Sequence, residues 1–320
     1  MGKKKGLING REAMVIGIIV AMIVIFSALS PTFRTYNTLV SVLDSSYYLV
    51  LMALGVTFPL ITGGVDLSIG TGLVCYALIG GYLTVHQGMP VAAALIVTIL
   101  VGVIIGVLNG VLVAIMDLPP FLATLCTCMI TRGLGPALCG GFGVSWPSAL
   151  EPAGWFRSMF RFNSNGKVIP VGIFIIIALV IIMSFVLNHT KIGRYTFAIG
   201  SNKEATKLAG VNVKFYHIAA YTICGFFAGL AAIAYSATYV TIYPGSGAGF
   251  EMDAIAGAIV GGVSASGGVG SILGAFLGVI VISLMKVGLP FIGLQANWQQ
   301  IITGLVLIGA ILIDVVKKKK

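Results

Sequence analysis

The chain has 320 residues, of which 58% are hydrophobic and 9% charged, with a formal net charge of +10 and a mean hydropathy of +1.07. A soluble globular domain carries roughly 25% charged residues, so the composition excludes that class and indicates an all-α polytopic membrane protein. The basic excess does not indicate a nucleic-acid partner, because Lys and Arg sit in tails and loops beside apolar runs rather than along one face.

A helix needs about 20 apolar residues to cross a hydrocarbon core of about 30 Å. On that basis ten segments are expected, at 13–30, 47–61, 67–85, 91–115, 121–138, 171–187, 215–239, 254–263, 272–289 and 298–315. Some are short, 254–263 most of all, so short or broken spans are part of the expectation. The first run follows Lys3 to Lys5 and ends near Ala28-Leu29-Ser30, which loosely resembles a signal-peptide cleavage site. It is longer than a usual signal-peptide core and meets Pro31 at once, so it is read as a retained first span. The whole of 1–320 is then one membrane-embedded domain.

Charge orients the spans. The tails 1–12 and 316–320 and the stretch 189–214 are basic, and basic loops stay in the cytoplasm. Six segments before 189–214 and four after it put all three on the same, inner side. The segment 139–170, with Trp146, Trp155, Arg157 and Arg161, becomes the longest outer loop. The inner stretch holds Lys191, Arg194, Lys203, Lys207 and Lys214 against the single Glu204. Within it, Asn202 through Gly210 reads as a short helix with an Asn cap, small residues and a Gly stop. A plain basic connection is the simpler reading, but the stretch is longer than a connection requires.

Glycines recur at i, i+4 spacing: Gly102, Gly106 and Gly110; Gly225 and Gly229; Gly257 and Gly261; Gly270, Gly274 and Gly278. Small residues one turn apart let helices approach closely in lipid. An internal echo links 63–72 with 261–270, where six of ten positions agree. Chance likeness of two Gly-rich turns is the simpler account.

Chemistry-bearing motifs are few. No Gly-x-x-x-x-Gly-Lys-Ser/Thr occurs, so the chain itself is not expected to hydrolyse ATP. Gly268-x-Gly270-x-x-x-Gly274 misses dinucleotide spacing. His86, His189 and His217 fall near segment ends and read as interfacial. Cys75, Cys126, Cys128, Cys139 and Cys224 are odd in number, lack ligand partners and read as free thiols; no metal and no cofactor are expected. Ionisable groups at membrane depth are functional candidates, which singles out Asp66, Glu251 and Asp253, although each also stands where a helix start favours a carboxylate. Asn109 lies inside a span and needs a partner. Asn297 and Trp298, followed by Gln299 and Gln300, stand at the mouth of the last span. Amides and aromatics with few charges suit a neutral hydroxylated solute, and apart from Asp66 no acid–base relay is expected.

These residues carry a resemblance. Thr62 to Gly70, Gly106 to Gly110, Leu118 to Leu125, Gly193-Arg194 through Ala198 to Asn202 and on to Ala209 to Val213, and Glu251 to Ala256 with Gly261 to Val263 resemble the permease subunits of bacterial ABC importers for monosaccharides, the ribose, galactose, xylose and autoinducer-2 group. The likeness runs from the second segment to the end; the first segment and 139–170 are not diagnostic. It implies a multi-pass inner-membrane homodimer working with a cytoplasmic ATPase subunit and a periplasmic sugar-binding protein, with membrane lipid around it. It implies further that 189–214 docks on the ATPase through Gly193, Arg194, Gly200, Asn202, Glu204, Ala205, Ala209 and Gly210. A substrate path is expected along Asp66, Asn109, Phe121, Glu251, Asp253, Asn297 and Trp298. An ion-coupled secondary transporter and a non-transporting scaffold are the rival readings, and the sequence does not name the sugar.

Overall fold

The computed structural model describes residues 10–164 and 166–318. Lys3 to Lys5, Lys319 and Lys320, on which part of the charge argument for the tails rests, lie outside the described residues.

The helices are α1 (Gly10–Leu29), α2 (Tyr36–Ile61), α3 (Ile69–Val85), α4 (Val91–Ala114), α5 (Pro120–Leu138), α6 (Gly172–His189), α7 (Lys191–Ser201), α8 (Lys203–Leu208), α9 (Val213–Thr238), α10 (Phe250–Val260), α11 (Ile272–Phe291) and α12 (Ala296–Lys318). Each of the ten expected segments falls on a helix. Among the described residues, α1, α2, α4, α5, α6, α9 and α11 are long and apolar enough to cross a membrane, while α3 and the 297–312 part of α12 are apolar but shorter. With 11 residues, α10 rises only about 16 Å, half of a hydrocarbon core of about 30 Å. Its chain continues as the turn 261–271, where Gly262, Gly267 and Gly268 take positive φ.

The bundle is organised around α2, whose residues from Tyr47 to Ile61 are all buried. The helix starts eleven residues before the expected segment, at Tyr36 rather than 47. Asp44, Ser45 and Ser46 hid that start. Ser45 and Ser46 return their hydroxyls to the carbonyls of Val42 and Leu43, and Asp44 pairs with Arg161 at 3.4 Å, so none of the three breaks the helix.

The glycine spacing becomes two close helix crossings. A Cβ on Gly102 or Gly225 would run into the backbone of α9 or α4 respectively. Likewise one on Gly261 would strike Gly274, and one on Gly278 would strike Gly257, across the crossing of α10 and α11. No hydrophobic effect drives helices together in lipid, so van der Waals contact at such crossings carries the association.

At one end of the bundle the 139–170 segment folds into a cap. Strand β1 (Val144–Ser145) pairs antiparallel with β4 (Thr241–Ile242), and β2 (Phe162–Ser164) with β3 (Lys167–Ile169). Trp146 is buried and donates Nε1–H to the Ala77 carbonyl at 3.0 Å. Arg157, also buried, donates to the carbonyls of Pro147, Ala237 and Trp146. Burial lowers the Arg157 guanidinium to about 10, which leaves it protonated at neutral pH.

Candidate functional site

The opposite end carries α7 and α8. The 189–214 stretch holds two helices, α7 and α8, where one short helix over 202–210 is expected. Thr190 caps α7, and its hydroxyl accepts from the Gly193 N–H. Gly193, Thr196 and Ile199 turn inward. Asn202 caps α8, its Oδ1 accepting from the Ala205 N–H at 2.9 Å, and Gly210 ends the turn at φ +80°. Thr206 is the buried residue of α8. Asn202, Glu204, Ala205, Ala209 and Gly210 are exposed, as is Arg194, and Leu208 is 88% exposed.

Two of the expected contact residues face the chain itself. A Cβ on Gly193 would meet the Leu187 carbonyl, and one on Gly200 would meet the Ile61 carbonyl and the Gly268 N–H. The Ile61 carbonyl also accepts from Gly268 N–H at 2.8 Å. The end of α7, the end of α2 and the 261–271 turn are therefore locked at one point. The two echoing turns, 63–72 and 261–270, meet there too, since a Cβ on Gly267 would touch Gly63.

Within the bundle, Asp66 and Asn109 come together. Both are buried. Asn109 Nδ2 donates to Ser68 Oγ at 2.9 Å and lies 3.3 Å from both Asp66 oxygens. The Asn109 carbonyl accepts from Thr127 Oγ1 at 2.7 Å, which ties in α5. Asp66 Oδ1 accepts from the N–H and the hydroxyl of Ser68. The residue preceding α3 is Ser68, so Asp66 closes a local turn and does not cap the helix as the sequence suggested. Neither residue lines open space, and Asn109 finds its partner inside the protein.

A second polar group lies near the cap end. Phe250, Glu251 and Asp253 stand in the first turn of α10. Asp253 accepts a hydrogen bond from Lys286 of α11 at 2.5 Å, and the ammonium sits 5.0 Å from the centre of the Phe250 ring. A cavity of about 730 Å³ opens beside this pair, lined also by Gln299, Gln300 and Thr303 of α12. Sequence reasoning passed over Lys286 because it lies within the apolar run 272–289. The Asp253–Lys286 contact is a single ion pair and not a relay. The available signal was the single charge inside that span, which demands a partner. Glu251 points the other way, against Gly70 of α3, and accepts from the Gly249 N–H. Phe121 and Trp298, each 53% exposed, and exposed Asn297 belong to neither cluster.

His86 and His189 are exposed; His189 stacks on Phe185, and His86 lies tilted against Tyr82. By contrast His217, near the start of α9, is buried, with neither ring nitrogen hydrogen-bonded. The cysteines are free thiols, three of them buried.

The family described as branched-chain amino acid transport system / permease component matches residues 38–311. The chain belongs to this permease family. Several relatives are named for sugars. The ribose import permease of Escherichia coli (strain K12) is 33% identical over 92% of this chain and 91% of its own length. The galactose/methyl galactoside import permease of the same strain is 31% identical over 99% and 98%. The autoinducer 2 import system permease of Salmonella typhi is 33% identical over 96% and 86%. No solved structure matches. The resemblance to monosaccharide ABC importer permeases is thus shown, and the permease is a multi-pass protein of the bacterial inner membrane. Members of this family are transport subunits rather than enzymes.

Proposed function

We propose that this permease passes a monosaccharide, of the ribose or galactose kind, from a periplasmic binding protein into the cytoplasm by alternating access. It does so as a homodimer with both tails and the α7–α8 end in the cytoplasm, driven by a separate ATPase subunit. The names of the relatives support the sugar class. The observation that carries the coupling is the exposed, self-capped α8 held on an α7 whose end is locked to α2 and the 261–271 turn. A short helix with an outward Leu208 and Glu204 suits a groove on a partner, while its anchor passes motion inward.

Gly200→Arg would collide with the Ile61 backbone and test folding, not docking. Glu204→Lys and Leu208→Asp are therefore the informative variants. Reconstituted with its ATPase and binding protein, the native permease should import sugar only with ATP. Each variant should elute as folded protein and lose uptake by about tenfold or more, the equivalent of about 1.4 kcal/mol of docking energy. Full uptake in both would remove the coupling assignment.

One observation favours the ion-coupled reading: Asp253 and Lys286 form an acid–base pair between α10 and α11, and ionisable residues within a helix bundle can serve proton movement. Sugar uptake by the permease alone under a proton gradient would decide for it.

A further inference from the structure

We infer that the cavity between α10, α11 and α12 is a solute subsite that takes a neutral cyclic sugar through a vicinal diol, with Lys286 as its specificity-determining residue. This rests on the proposed sugar import and adds the place and chemistry of recognition.

The lining has three kinds of group. Phe250 adds an apolar ring to the lining and carries the Lys286 ammonium over its face. Asp253 and Lys286 are hydrogen-bonded to each other yet only partly covered, with side chains 15% and 25% exposed. Gln299, Gln300 and Thr303 add amides and a hydroxyl that both donate and accept. The volume of about 730 Å³ falls within the range of about 300–1,000 Å³ usual for small-molecule sites.

The charge pair decides what enters. A lone carboxylate here would draw cations, and a lone ammonium anions. Paired, they leave the cavity with no net side-chain charge, so an ion gains nothing by entering. A vicinal diol presents two adjacent hydroxyls. One can donate to the Asp253 carboxylate while the other accepts from the Lys286 ammonium, so the sugar slots into the pair without stranding either charge. When the sugar leaves, the pair closes on itself, which keeps binding weak enough for release. A pair made only for structure would be sealed by apolar neighbours, whereas this one faces a cavity with three further polar side chains.

The placement suits transport. Asp253 and Phe250 stand at one end of α10, and the other end runs into the 261–271 turn locked to Ile61. Movement at the lock thus displaces the helix that bears the subsite.

Saturation-transfer NMR on the purified permease–ATPase complex in lipid nanodiscs tests the idea, using D-ribose, D-galactose and methyl β-D-ribopyranoside as probes, and methyl 3-deoxy-β-D-ribopyranoside, whose C2 and C4 hydroxyls are not adjacent, as the analogue without a vicinal diol. Native complex should give signals for the intact sugars and weak ones for the deoxy analogue. Lys286→Met and Asp253→Asn should each reduce the sugar signal about fivefold, the loss of roughly one hydrogen bond, and the exchange of the two residues should restore part of it. Gln300→Ala changes an exposed side chain that packing does not need and should halve the signal with folding intact. Sugar signals equal to native in Gln300→Ala and in any folded pair variant would overturn the subsite. So would the absence of a sugar signal from native complex that imports sugar with ATP. Failure of native complex to import at all would instead count against the proposed function.

Discussion

At the scale of single residues, the permease spends its few polar groups in pairs. Asn109 stands between the Asp66 carboxylate and the Thr127 hydroxyl, and its amide is the group that ties α4 and α5 to the turn before α3. Removing it takes one buried donor from the Asp66 carboxyl group, which keeps its two hydrogen bonds from Ser68, and one acceptor from Thr127. A buried polar group left unsatisfied costs about 1–3 kcal/mol, so Asn109→Ala should lower the thermal midpoint in detergent. Asp66→Asn, which keeps one acceptor for Ser68, should cost less. Equal melting of Asn109→Ala and native protein would mean that the amide is idle. Asp66 and Asn109 were both legible in the sequence as polar residues in apolar surroundings, but their union was not. They are 43 positions apart, and only the crossing of α4 behind the turn brings them together. Lys286 shows the reverse failure: a charge inside a strongly apolar run looked like part of the run, because its compensating Asp253 lies 33 positions away.

At the scale of helices, glycine spacing carried most of what the sequence could say about packing. The i, i+4 glycines marked the faces, and the structure supplies the pairing of α4 with α9 and of α10 with α11. Gly225 is the decisive position on α9, since any side chain there must push into the α4 backbone at Gly102 and Gly106. Gly225→Val should therefore cost at least about 2 kcal/mol by overpacking and reduce the fraction that elutes as a folded peak. Gly304→Ala, on a face of α12 with open space around it, should be neutral or slightly stabilising, because alanine favours helix over glycine by about 1 kcal/mol. A similar loss in both would show that glycine content, not the crossing, sets stability. The short helix α8 was readable from its Asn cap and Gly stop, since capping is local chemistry. Its neighbour α7 was not, because Lys191, Arg194 and two glycines read as loop. Its helix is amphipathic and becomes stable only against α2 and α9.

At the scale of the whole molecule, three distant parts of the chain converge where Gly200 meets Ile61 and Gly268. One is the α7–α8 end, the second is the central helix α2, and the third is the turn that feeds α10 and its charge pair. The contact is backbone on backbone, with the Ile61 carbonyl accepting from Gly268 N–H at 2.8 Å and Gly200 pressed against both. Such a contact transmits displacement well, since there is no flexible side chain to absorb it. A single methyl should therefore act as a wedge. In Gly200→Ala the Cβ would meet the carbonyl and the amide together, prising α7 off without touching the exposed face of α8. If α8 docks the ATPase and α7 drives the bundle, the variant should still bind its ATPase and hydrolyse ATP, yet import several-fold less sugar per ATP. The readout is the ratio of sugar delivered to phosphate released in proteoliposomes made from the fraction that elutes as folded complex, with Ala198→Gly as a control that alters α7 without adding bulk at the lock. An unchanged ratio in Gly200→Ala would show that the force enters elsewhere. A fall in hydrolysis and uptake together would show that α7 helps to dock the ATPase rather than relaying its motion.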